Sequence, residues 1–137
     1  RLSENLLKSI EQSERSSATG TAMHLRIAVD YSSQYSIMQA AQRAARDPRD
    51  APLSSEDFDR LLQDIDHSTG SVGPVDLLIR TGNERRLSDF QLWECAFAEL
   101  HFSDCLWPDF DEQRFQEALE DYGGRQRRFG ALAAKSP

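Results

Sequence analysis

The chain has 137 residues, 39% hydrophobic and 28% charged, with a formal net charge of -7. That is one domain's length, apolar enough to bury a core without a disulfide scaffold, which excludes wholesale disorder. No apolar run approaches the ~18 residues of a membrane span, and an acidic chain argues against general nucleic-acid binding, though not against a local basic pocket for a small phosphorylated ligand.

Residues 3–16 read as a helix, capped by Ser3, with Leu6, Leu7 and Ile10 at helical spacing. The stretch SSATGT (16–21) is a turn. LRIAVDY (25–31) alternates apolar and polar residues and predicts a strand. SSQYSIMQAAQRAA (32–45) predicts a serine-opened, alanine-rich helix. The loop DPRDAPLSS (47–55) follows, then a helix to about Ile65 with Phe58, Leu61 and Leu62 facing inward. Ser54 and Asp57 form an approximate capping box there. HSTGSVGP (67–74) is a linker.

VDLLIR (75–80) suits a strand buried on both faces, as in a parallel sheet. Residues 88–96 are expected to be helical. AELHFS (98–103) is a further strand, and DEQRFQEALEDY (111–122) an amphipathic helix that Gly123 and Gly124 should weaken or kink. The basic tail RQRRFG (125–130) closes the pattern, and residues 131–137 are expected to fray. Alternating helices and strands predict an α/β fold with a mostly parallel central sheet flanked by helices. Three strands make a thin sheet, so part of the domain is expected to lie outside this chain. The start at Arg1 rather than Met agrees with that.

Arg80 stands at the carboxyl end of a predicted strand, where open α/β sheets place ligands. Thr81, Gly82 and Asn83 read as a tight loop with exposed N–H groups. Arg86 and Ser88 follow at an expected helix start. Two guanidinium forks, a hydroxyl and helix-terminal amides suit a phosphate or diphosphate. Surface ion pairs of the two arginines with Glu84 or Asp89 are the alternative. Glu99 enters an apolar strand, where a carboxylate needs a cation or several donors. It suits Mg²⁺, which takes one or two carboxylates plus substrate phosphate oxygens; pairing with an arginine or capping local backbone is the alternative.

Trp93, Phe97, Phe102, Trp107 and Phe110 read as core or interface aromatics. Asp109, Asp111 and Glu112 read as complementing a helix dipole. His24, His67 and His101 have no nucleophile at a recognisable spacing. Cys95 and Cys105 alone make neither a zinc site nor a disulfide framework, so a reduced, cytoplasmic compartment is expected. No signal peptide is visible.

The run DLLIRTGNERRLSDFQLWECAFAELHFSDCLWPDFDEQRF resembles the carboxyl-terminal half of the cis-prenyltransferases, typified by undecaprenyl diphosphate synthase. Their pattern is D-L-x-I-R-T-[SG]-G-E-x-R-[LI]-S-[ND]-F-x-L-W-x-x-[AS]-Y-[AT]-E-L-x-F, then LWPDF, then R-R-F-G. Residues 76–110 follow it nearly position by position, Arg127 to Gly130 match the close, and residues 1–45 fit loosely to the family's middle. The resemblance implies that residues 1–137 form a single domain, the carboxyl-terminal part of this fold. It implies a Mg²⁺-dependent transferase that condenses isopentenyl diphosphate with an allylic diphosphate, working as a homodimer or heterodimer. By match, Arg80, Gly82, Arg86, Ser88, Arg128 and Gly130 would bind isopentenyl diphosphate, the last two across the dimer. Glu99 would meet the metal.

The family's D-G-N-x-R-W loop has no counterpart in residues 1–137. The chain alone is therefore expected to lack catalytic residues and competence. Asn83 replaces a glycine, and Asp30-Tyr31-Ser32-Ser33-Gln34 stands for N-Y-G-G-R. A non-catalytic partner subunit, and a divergent member making short or branched products, are the alternatives. Lipid-soluble products allow peripheral membrane contact, though no basic amphipathic helix demands it.

Overall fold

The computed structural model describes residues 2–48, 51–66 and 73–125. Packing divides the chain into two compact units, Arg1–Tyr31 and Ser32–Pro137.

The first unit carries helix α1, Glu4–Ser17, whose first turn is closed by the Ser3 side chain accepting from the Leu6 amide. No α1 residue is buried. Residues 25–31, expected as a strand, form none: among the described residues they join no ladder, and Leu25 and Ile27 are 70% and 78% exposed. Alternation makes a half-buried strand only where an edge pairs with it and one face is covered.

The second unit begins with helix α2, Ser33–Arg46. Ser33, Ser36 and Ala40 are its buried residues, at the i, i+3, i+7 spacing of one helical face. Helix α3, Ser55–Ile65, packs against α2 and buries Leu62. Its capping box is complete: the Ser54 Oγ accepts from the Asp57 amide, and the Asp57 carboxylate accepts from the Ser54 amide. Strands β1, Leu77–Arg80, and β2, Glu99–Phe102, pair in parallel, with Leu77 opposite Glu99 and Arg80 opposite Phe102. Leu78 is the buried residue of β1; its neighbours Leu77 and Ile79 are half-buried.

Helix α4, Glu112–Gly124, packs on β2 through Ala118, which is fully buried. Asp111 caps it, accepting from the Arg114 amide. Gly123 and Gly124, expected to weaken or kink the helix, do not end it: the helix runs through both glycines to an Arg125 cap. Each glycine lowers helix stability by ~1 kcal/mol without forbidding the conformation, and Arg125 is bonded to Glu99, Leu100 and Asp121 at this end. The α/β expectation with a parallel sheet and flanking helices therefore holds. Among the described residues, no helix is long and apolar enough to cross a membrane.

Candidate functional site

Arg80 is the last residue of β1, and its carbonyl accepts from the Ser103 amide at 2.8 Å. The ladder then continues past both strands. The Gly82 amide donates to the Cys105 carbonyl at 2.8 Å, and the Asn83 amide to the Ser103 carbonyl at 3.0 Å. The expected exposed N–H groups at Gly82 and Asn83 are thus already spent on the neighbouring loop. Gly82 sits at φ 80° and Asn83 at φ 56°. A Cβ at Gly82 would meet nothing within 4 Å, so torsion rather than space calls for glycine there. Asn83 tolerates the left-handed geometry as its residue type allows.

Beside this loop lies an open cleft of about 390 Å³. Leu78, Ile79, Leu87 and Phe90 give it an apolar wall, and Arg80, Thr81 and Arg86 its polar one. The two arginines picked out in the sequence therefore share one cavity. Ser88 follows Leu87 in the chain but does not line it. Arg86 is paired with Glu84 at 2.5 Å, one of the two partners foreseen, and stays 69% exposed. An exposed pair of this kind holds weakly and can be exchanged for a ligand anion. Among the described residues Arg80 makes no ion pair.

Residues 88–96 do not form the expected helix. Ser88, Asp89 and Gln91 have φ of 49°, 62° and 44°, and such left-handed residues cannot propagate a right-handed helix. Separate turns replace it, closed by Phe90 N–H to Leu87 O and Cys95 N–H to Gln91 O. No helix N-terminus is therefore offered at Ser88. Instead this segment holds the start of α2. Asp89 accepts from the Ser32 hydroxyl at 2.6 Å and from the Gln34 amide at 2.9 Å. Its carbonyl accepts from the Ser33 amide at 3.0 Å, and the Leu92 amide donates to the Ser33 hydroxyl at 3.0 Å. The sequence pointed to Asp89 only as an alternative ion-pair partner of the arginines and not to this tie with α2. The available signal was an aspartate that tolerates positive φ, together with two serines opening a distant helix.

Glu99 opens β2, and its carboxylate accepts from Arg125 Nη1 at 3.0 Å. The same nitrogen donates to the Leu100 carbonyl, while Arg125 Nη2 reaches Asp121 at 2.6 Å. Asp121 also meets His101 Nδ1 at 2.9 Å. The hydrogen bond from His101, then that from Arg125, holds the Asp121 carboxyl below its usual value, and Asp121 with Glu99 holds the Arg125 guanidinium above its own. The arginine partner foreseen for Glu99 is thus present. His101, read as having no nucleophile at a recognisable spacing, pairs with the Asp121 carboxylate. Among the described residues, no three His, Cys, Asp or Glu side chains gather as a metal site. Arg128 and Gly130 lie outside the described residues.

Trp93 stacks at a tilt on Phe58, ring centres 4.8 Å apart, and its indole N–H donates to Asp59 at 2.6 Å. Phe97 and Trp107 are 64% and 75% exposed, so they are surface aromatics rather than core. Cys95 and Cys105 are free thiols; burial, then the Glu94 charge, pushes the Cys95 thiol up.

A family model described as "Putative undecaprenyl diphosphate synthase" matches residues 1–130. The chain is 46% identical over 139 aligned residues to isoprenyl transferase 1 of Bradyrhizobium diazoefficiens, covering 100% of this chain and 53% of that protein. It is 44% identical to the ditrans,polycis-undecaprenyl-diphosphate synthase of Francisella tularensis, over 95% of this chain and 50% of the relative. The chain thus spans about half the length of these curated relatives. Lavandulyl diphosphate synthase from Lavandula x intermedia, solved with dimethylallyl diphosphate, superposes with a TM-score of 0.84 at 36% identity, over 95% of this chain and 56% of that one. A match over so much of the chain, together with this superposition, makes this chain a member of the undecaprenyl diphosphate synthase family of prenyltransferases.

Proposed function

We propose that the chain supplies the isopentenyl diphosphate site of a cis-prenyltransferase, which joins that substrate to an allylic diphosphate. The observation that carries this is that two arginines, Arg80 and Arg86, line one cleft at the carboxyl end of a parallel strand. Arginine forks bind phosphate oxygens in pairs, and the diphosphate would displace Glu84 from Arg86. Ser88, next in the chain to the lining residue Leu87, and Gly82, which shapes the turn after Arg80, are assigned to the same ligand by the motif alone, as are Arg128 and Gly130, which would reach the site of a dimer partner. The apolar wall of Leu78, Ile79, Leu87 and Phe90 would take the isoprenyl carbons. In the reaction the new carbon–carbon bond forms as the allylic diphosphate departs, and the isopentenyl unit loses a proton. Residues 1–137 then act as one carboxyl-terminal part of the enzyme domain, and contact with a membrane would follow from a lipid-soluble product.

Glu99 is the residue proposed to meet Mg²⁺. It is a half-buried carboxylate already built to face a cation, the Arg125 guanidinium. Mg²⁺ needs only one or two carboxylates when substrate phosphates and water complete its shell, and at Glu99, which stands opposite Leu77 rather than Arg80, it would have to displace Arg125. When bound, the ion would offset negative charge on the departing diphosphate.

The test is Arg86→Ala, and Arg80→Ala beside it, in the complete protein. Losing a charge-assisted bond of about 1.5–3 kcal/mol raises the KM for isopentenyl diphosphate roughly 10- to 100-fold. An unchanged KM overturns the reading.

A further inference from the structure

The turn that carries Arg86 and Ser88 is held from outside itself. Asp89 spends one carboxylate oxygen on the Ser32 hydroxyl and the other on the Gln34 amide. Its carbonyl takes the Ser33 amide, and the Ser33 hydroxyl takes the Leu92 amide in return. Two consecutive serines at the head of α2 thus grip a turn more than fifty residues further along the chain. Ser33 is only 2% exposed, so this is a built contact rather than a surface encounter. The Ser32 and Ser33 hydroxyls replace the two glycines of the family pattern, which offer no such groups.

The commitment of Asp89 has a second effect. A carboxylate engaged on α2 is not the one that pairs Arg86, and the guanidinium goes instead to Glu84 and the cleft. Left-handed φ at both Ser88 and Asp89 is unfavourable for residues with a Cβ, and the bonds to α2 offset that cost.

We propose that Asp89 is a positioning residue. By locking the 86–92 turn onto the head of α2, with Ser32 and Ser33 as the clamp, it sets the reach of Arg86 and Ser88 toward the diphosphate of isopentenyl diphosphate. This rests on the function proposed above; Asp89 itself touches no substrate.

The test uses steady-state kinetics of the complete protein. Asp89→Ala should raise the KM for isopentenyl diphosphate about tenfold, while kcat and the KM for the allylic diphosphate stay within threefold. Asp89→Asn keeps an acceptor for the Gln34 amide and offers an N–H to the Ser32 oxygen, so it should restore most of the loss. Ser32→Ala, which removes one bond of the clamp, should raise the same KM about threefold. An unchanged KM in folded Asp89→Ala overturns the proposal, as does Asp89→Asn being as damaging as alanine. Should Asp89→Ala not fold, Ser32→Ala decides: a raised KM supports the clamp and an unchanged one overturns it. Arg86→Ala separates the two readings. If it raises the KM and the clamp variants do not, only the positioning role fails; if it leaves the KM unchanged, both readings fall.

Discussion

Helices α2 and α3 pack on each other, yet their amino-terminal turns are finished in opposite ways. At α3, Ser54 and Asp57 exchange bonds three residues apart, and the turn closes on itself. At α2, Ser32 caps the Tyr35 amide locally, but Asp89 takes the Gln34 amide, and the Ser33 amide goes to the Asp89 carbonyl. A self-closed cap stabilises a helix and nothing else. A cap supplied from far along the chain also ties two segments together, so its removal disturbs both. The α2 cap faces the turn that carries Arg86, whereas the α3 cap faces only its own helix.

Removing the acceptor at each end is the sharpest way to break this contrast. Asp89→Ala should cost about 2–3 kcal/mol of unfolding free energy, because two donors lose a charged acceptor. It should also speed amide exchange at Gln34 and Leu92 together. Exchange confined to one of the two segments would show that they are not tied. Ser54→Ala should cost about 1 kcal/mol, with exchange changing only in the first turn of α3 and no effect on the KM for isopentenyl diphosphate. A kinetic effect there would erase the distinction between the two caps.

Helix α3 has distant ties of its own, among them the Arg43–Asp64 pair and the Trp93 indole on Asp59, the latter alongside a ring contact with Phe58. Trp93→Phe keeps a ring and loses the donor. It should cost about 0.5 kcal/mol in denaturant melts, since both partners are partly exposed. A cost several times larger would mean that α3 depends on distant ties as much as α2 does.

The smallest effect belongs to the far end of α4, where His101 and Arg125 hold Asp121 below its usual carboxyl value. A carboxyl depressed in the folded state contributes stability that is complete above its unfolded value and is lost as pH falls through the lower folded one. Wild-type protein should therefore lose stability faster than Asp121→Asn as pH drops below the ordinary carboxylate range. Parallel pH curves would show that the bonds to Asp121 add nothing.

These ends also mark what could be read from the chain alone. Helices α2, α3 and α4 and strands β1 and β2 follow from periodicity and from caps within four residues, interactions that the order of residues displays directly. The α3 capping box was legible for that reason. Arg80 and Arg86 were legible as a pair through their spacing around a strand end, and ion pairing of Arg86 with Glu84 and of Glu99 with an arginine stood among the alternatives. The grip of Asp89 on Ser32 and Gln34 was not legible, because nothing local signals a bond between residues so far apart. The same cause hid the loss of the Gly82 and Asn83 amides to the 103–105 loop. Residues 25–31 show the reverse: the alternating pattern is present, but pairing depends on a neighbour that the pattern does not name. At 88–96, three left-handed residues forbid the helix expected there.

The stretch 84–88 is suspended between two moorings, the Asn83 amide on the 103–105 loop and the Asp89 side chain on α2. Arg86 sits midway, three peptide steps from either, so a fully taut leash lets its Cα stray no more than roughly 10 Å from each. A segment this short forfeits little freedom when it seizes an anion, because most of its wandering has already been taken away.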